Sequence, residues 1–244
     1  MRCLRVTAVT ELKRPIPRVE RIFFALAAVW FVALVFVGFG PTFFFRRIPE
    51  PLPTHQIVHG VLFSAWVVVF LVQALLITTR HVRWHMTLGM TSIALLFLML
   101  PAGFHVVLVK AAAGLKTVDE AGGNLTTLTI GFGFSFAGLA CRRRPFVHKR
   151  LMLFATLMLT VAAADRVSSI VGLDDVRLFR KALAVVPGLA LTVLDAFGLR
   201  RLPLLSLSAL TMVWAVIWFT VSDVVFTRPS GETIINALTW LFVW

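Results

Sequence analysis

Tyrosine is absent from this chain of 244 residues, cysteine occurs twice, and only 11 residues are acidic. Without tyrosine there is no phenol for proton or radical chemistry. Cys3 and Cys141 lie far apart and fit no CxxC spacing, so neither a disulfide framework nor a thiolate metal site is indicated. Charged residues make up 14% of the sequence, too few to coat a soluble domain or to keep an unfolded chain solvated. Also missing are GxSxG, HExxH, a Walker loop and a GxGxxG turn, so nothing supports hydrolysis or phosphoryl transfer. The six histidines are too few and wrongly spaced for a desaturase-like di-iron cluster.

What fills the sequence instead is apolar surface. Hydrophobic residues make up 59%, phenylalanine alone contributes 22, and the mean hydropathy is +0.92. A soluble chain of this length has no way to hide so much apolar area, which points to a membrane protein. Apolar runs near 22–40, 55–79, 86–109, 125–141, 151–171, 182–199 and 202–226 each approach the length needed to cross ~30 Å of hydrocarbon. They predict an all-α polytopic transmembrane bundle of about seven spans. Three parts follow: a basic arm over 1–21, the bundle over 22–226, and a short interfacial helix over 227–244. In the last part Ile234, Ile235, Leu238, Leu241 and Phe242 form an apolar stripe too short to span.

The net charge of +13 would suggest nucleic acid in a soluble protein, but here it sorts by topology. With the N-terminus inside, the inner side receives 15 basic residues and the outer side 8, the positive-inside bias of a bacterial inner-membrane protein. No nucleic-acid partner is implied; the basic inner loops face anionic lipid headgroups or a membrane-protein partner. The apolar run from Ile22 to Gly40 is longer than the core of a secretory signal and no small-residue processing site follows it. The arm is therefore expected to stay attached.

The same topology divides the histidines into two groups. His55, His59 and His105 belong to the outer end, and His81, His85 and His148 to the inner end, each group containing an i, i+4 pair on one helical face. Neutral imidazole is an axial ligand for haem iron, and a membrane bundle can hold a b-type haem where histidines from different helices converge at one depth. The expected pairs are His59 with His105 outside and His85 with His148 inside, with Arg166 or Lys149 facing the propionates. Each trio also has the ligand number of a His-only metal centre, and an amphipathic ring at a lipid boundary needs no ligand at all.

Asp165 and Arg166 fall inside the fifth predicted span, where ionisable groups are expensive. Neighbours on a helix point to different faces, so each is expected to find a partner on another helix, with Asp223 the best match in depth for Arg166. A packing ion pair and a proton, ion or propionate site both fit. Span four carries Gly131, Gly133, Ser135, Ala137 and Gly138, a small-residue set that lets helices approach closely.

The motifs His55-Gln56-Ile57-Val58-His59-Gly60, His85-Met86-Thr87-Leu88-Gly89 and Arg144-Pro145-Phe146-Val147-His148-Lys149-Arg150-Leu151-Met152 resemble those of a family of small bacterial multi-pass membrane proteins with no assigned function. The resemblance covers roughly residues 41–160 and implies an integral inner-membrane protein with histidines at helix ends. A more distant likeness to cytochrome b561-type haem proteins rests on histidines at both faces of a helical bundle. Three functional expectations stand together: a b-type redox protein, a non-catalytic accessory or assembly subunit of a membrane complex, and a small-solute transporter.

Overall fold

A computed structural model describes residues 17–46, 51–173, 177–198, 220–221 and 224–243. Among these residues there is no strand. The helices are α1 (Arg18–Phe39), α2 (Thr54–Thr78), α3 (Val82–Ala112), α4 (Val118–Ala140), α5 (Pro145–Leu159), α6 (Val161–Ile170), α7 (Arg177–Val193) and α8 (Pro229–Phe242). A π-helical turn prolongs α1 over Gly40–Phe44 and another prolongs α7 over Leu194–Gly198.

The boundaries have local causes. Proline opens α5 and α8 from the first helical positions, where its missing N–H costs nothing. At the start of α4 a capping box operates: Glu120 N–H donates to Thr117 Oγ1 and Thr117 N–H to Glu120 Oε2. Gly114 (φ 68°) closes α3 and Gly172 (φ 71°) closes α6 in the left-handed conformation that suits glycine. Arg80 (φ 65°) does the same after α2, and His81 N–H reaches back to Leu76 O at 2.7 Å.

Helices α1 (with its π turn), α2 and α3 are long and apolar enough to cross a membrane, and α5 with α6, bent by 47° at their break, has the length and composition of a fourth span or of a re-entrant loop. Among the described residues the all-helical expectation and the first, second and third predicted spans are therefore present as helices of that kind, and the fifth falls on the bent pair. The fourth run coincides with α4, whose threonines, glycines and Asn124 dilute its hydropathy. The sixth matches the shorter apolar stretch Ala182–Phe197. Most of the seventh run, with Arg200, Arg201, Trp214, Trp218 and Asp223, lies outside the described residues, as does the arm before Pro17. Helix α1 begins at Arg18, so the end of the basic arm expected over 1–21 is already helical.

Packing follows the small residues. Helices α4 and α5 pack closely, with Gly131 against Met158 and Leu159 and Gly138 against Met152. Where α1 crosses α6, a Cβ on Gly38 would lie 2.6 Å from Ala163 O, so the two backbones touch there. Helix α8 packs on α3 and α4 through Ile235, while Trp240, Leu241 and Phe242 stay exposed. Large apolar side chains also cover the outer faces of α1, α2 and α3, a surface suited to hydrocarbon and not to water.

Candidate histidine-lined cleft

The helices alternate in direction, and this brings the start of α1, the end of α2, the start of α3, the end of α4 and the start of α5 to one end of the bundle. A cleft of about 130 Å³, open at one side, lies among them. Its walls are largely apolar, with Phe24, Trp66, Phe70 and Met152 among them, and it includes both His85 and His148. The two rings stand 6.5 Å apart, centre to centre, with an interplanar angle of 79°.

The rings are differently held. His148 Nδ1–H donates to Gly138 O at 2.8 Å, which fixes the tautomer and leaves Nε2 with its lone pair. His85 lies beside the Gln73 backbone, yet its buried Nδ1 makes no hydrogen bond of normal geometry. Two further polar atoms on the same walls, Arg21 Nε and Gln73 Oε1, are also buried without partners. Three unpartnered polar groups in one apolar cleft are uncommon, since nearly all buried polar atoms find a hydrogen bond.

Charge is balanced unevenly here. Lys149 pairs with Glu20 at 2.8 Å and lies over the Phe146 ring at 4.5 Å. Glu20 also pairs with Arg150 at 3.0 Å, and Arg150 with Asp195, all three carboxylate and guanidinium groups being fully buried. Arg21 makes no ion pair among the described residues. Of the two cations that line the cleft, Arg21 is thus the one with a buried donor to spare.

His81 does not join this cleft. It caps the start of α3 at the surface, with its Nδ1 2.9 Å from Thr79 Oγ1. The outer group is divided too: His105 faces His55, rings 5.7 Å apart, whereas His59 stacks on Phe63 at 4.2 Å. The expected outer pair of His59 with His105 is replaced by His55 with His105. The physical reason is helix packing: His55 and His59 are one turn apart on α2, and only the ring nearer the end of α3 meets His105. Neither trio closes around an ion; among the described residues no three His, Cys, Asp or Glu side chains form a group able to hold a metal.

Arg166 lies over the Phe39 ring at 4.3 Å and donates to Ala162 O at 3.5 Å. Asp165 is exposed yet within electrostatic reach of Arg166, and the partner expected for Arg166, Asp223, lies outside the described residues. Sequence reading missed Glu20, Arg21, Gln73, Arg150 and Asp195 as neighbours of the inner histidines. The signal for Glu20 and Asp195 was their rarity, as acids near the inner end of a chain most of whose other acids lie at the outer side.

The helices and their apolar surface define a membrane protein. No family model, no curated protein and no solved structure matches this chain.

Proposed function

We propose that this is an integral-membrane redox protein that binds one b-type haem in the inner cleft, between His85 and His148. The observation that carries the reading is the pair of rings facing each other across an apolar cleft whose Arg21, Gln73 and His85 keep unpartnered buried polar atoms. Two imidazoles that would hold one metal ion between them have ring centres on the order of 6 Å apart. The 6.5 Å separation and near-perpendicular planes suit that arrangement.

Each residue has a role on this reading. His148 is oriented by Gly138 O, as ligating histidines usually are by a backbone or carboxylate acceptor. Gly89, one turn after His85, lines the cleft without a side chain, which keeps the wall clear for a flat ligand. Arg21 offers a cation for the propionates, while Lys149 is already engaged by Glu20. When bound, haem supplies one-electron chemistry; the protein sets its potential through the two imidazoles, the apolar walls and the nearby charges.

On the same reading the chain crosses a bacterial inner membrane about seven times with its N-terminus in the cytoplasm, so the cleft opens at the cytoplasmic side. The excess of Lys and Arg at that end supports this orientation. The likeness to cytochrome b561-type proteins then extends to a single haem face, because, of the outer histidines, only His59 lines the outer cavity.

The test is a reduced-minus-oxidised optical spectrum of the purified full chain in detergent, with haem extracted and quantified. One haem per chain is expected, lost in His85→Ala and in His148→Ala and kept in His81→Ala. Colourless protein, or absorbance indifferent to both substitutions, overturns the proposal.

A further inference from the structure

At the opposite end of the bundle lies a second and larger cavity of about 360 Å³. Arg46, Lys110, Lys116 and Arg166 line it, and among the described residues no carboxylate does, although Asp165 lies within electrostatic reach of Arg166 from outside the wall. Lys110, Lys116 and Arg166 are half-buried and make no ion pair among the described residues. Lys110 is within electrostatic reach of both Arg166 and Lys116, and His59 of both Lys110 and Arg166. Like charges gathered in a low-dielectric space repel, and Asp165 offsets this at Arg166 alone among the described residues, so an entering anion is favoured by Lys110 and Lys116 as well.

The rest of the wall is apolar. Phe39, Phe63, Val107 and Leu159 contribute to it, and Trp66 separates this cavity from the inner cleft by lining both. Its indole is fixed there, Nε1–H donating to Thr156 Oγ1 at 3.2 Å. At about 360 Å³ the space falls within the ~300–1,000 Å³ of an ordinary small-ligand pocket, enough for a charged head and the first part of an alkyl body.

We infer that this outer cavity binds an amphiphilic anion, its carboxylate or phosphate head held by Lys110, Lys116 and Arg166 and its apolar body laid along the Phe39, Phe63 and Leu159 walls. The carboxylate of a fatty acid and the phosphate of an anionic lipid share this chemistry. The site is separate from the inner cleft and does not depend on whether haem is bound there.

Delipidated full-length protein in a neutral detergent is titrated with oleate, phosphatidylglycerol, oleyl alcohol and inorganic phosphate. Saturable binding of oleate or phosphatidylglycerol is expected, and whichever binds tighter identifies the head group. In Lys110→Gln combined with Arg166→Gln the Kd rises at least ten-fold. Lys116→Gln, in the α3–α4 connection where it does not threaten folding, raises it several-fold, and Arg142→Gln at the other end leaves it unchanged. Equal binding of oleyl alcohol, complete displacement by inorganic phosphate, or undiminished affinity in Lys116→Gln overturns the inference.

Discussion

Arg150 is gripped by Asp195 through two parallel contacts, Nε to Oδ2 at 3.0 Å and Nη2 to Oδ1, with neither side chain reached by solvent. The pair ties the π turn after α7 to the first turns of α5. Glu20 approaches the same guanidinium from α1, and Lys149 completes a set of two cations and two carboxylates. A charge buried this deeply is tolerable only when paired, and here three helices are joined by the pairing.

Removing Asp195 leaves Glu20 as the one carboxylate among the described residues facing both Arg150 and Lys149, so one buried positive charge goes uncompensated. Asp195→Ala is expected to lower stability by about 3–5 kcal/mol, measured by chemical unfolding in detergent. Replacing both Arg150 and Asp195 with apolar residues of similar volume should cost much less than the single change. Equal losses from the single and double variants would show that the pair is not coupled.

Gly38→Ala introduces a methyl group directly onto the Ala163 carbonyl oxygen, 2.6 Å away, with backbone on both sides and no side chain free to yield. A destabilisation of about 1–3 kcal/mol is expected, read as a lower unfolding midpoint. Gly133→Ala, where a Cβ meets nothing within 4 Å, serves as the comparison and should be nearly silent. Similar midpoints for the two variants would refute the close crossing of α1 and α6.

Gly89 separates cofactor binding from folding. A Cβ at this position would meet Gln73 Nε2 at 3.4 Å, an ordinary contact, so Gly89→Ala should keep its chromophore. Gly89→Phe places a ring into the cleft and should abolish haem uptake while the unfolding midpoint changes little. Full haem content in the phenylalanine variant is the result that contradicts the proposed site.

Asp119 accepts a hydrogen bond from the Thr117 hydroxyl, which holds its carboxyl below the usual carboxylate range despite a small opposing effect of burial. A lowered folded value means the stabilisation is complete at neutral pH, above the value in the unfolded chain, and fades as pH falls through the folded value. Carboxyl NMR titration should find Asp119 depressed, and Thr117→Val should return it toward normal. An unchanged titration in that variant counts against the bond.

Much of this arrangement was legible in advance, and the reasons are specific. The runs that became α1, α2 and α3 are apolar all round over more than five turns, a pattern only a buried or lipid-bathed helix produces. Alternation of such helices then fixes which ends meet, and that sufficed to put His85 and His148 together. It did not suffice for the outer trio. His55 and His59 share a face at the resolution of one turn, and choosing between them requires the rotation of α2 against α3, a property of side-chain packing across the interface. The grip on Arg150 was hidden for the same reason: Glu20, Arg150 and Asp195 are separated by more than 40 residues at each step, and nothing local marks them as partners.

Composition alone settled the solvent of this protein, because 59% hydrophobic residues cannot be buried inside a chain of this size. Helical class followed, since backbone groups in hydrocarbon must be satisfied within each segment. Which ring faces which, which carboxylate neutralises Arg150, and which cations gather in one cavity were decided only by the tertiary packing. Contacts of that kind depend on helix rotation and depth to within an ångström or two, and a one-dimensional pattern with a period of 3.6 residues does not encode them.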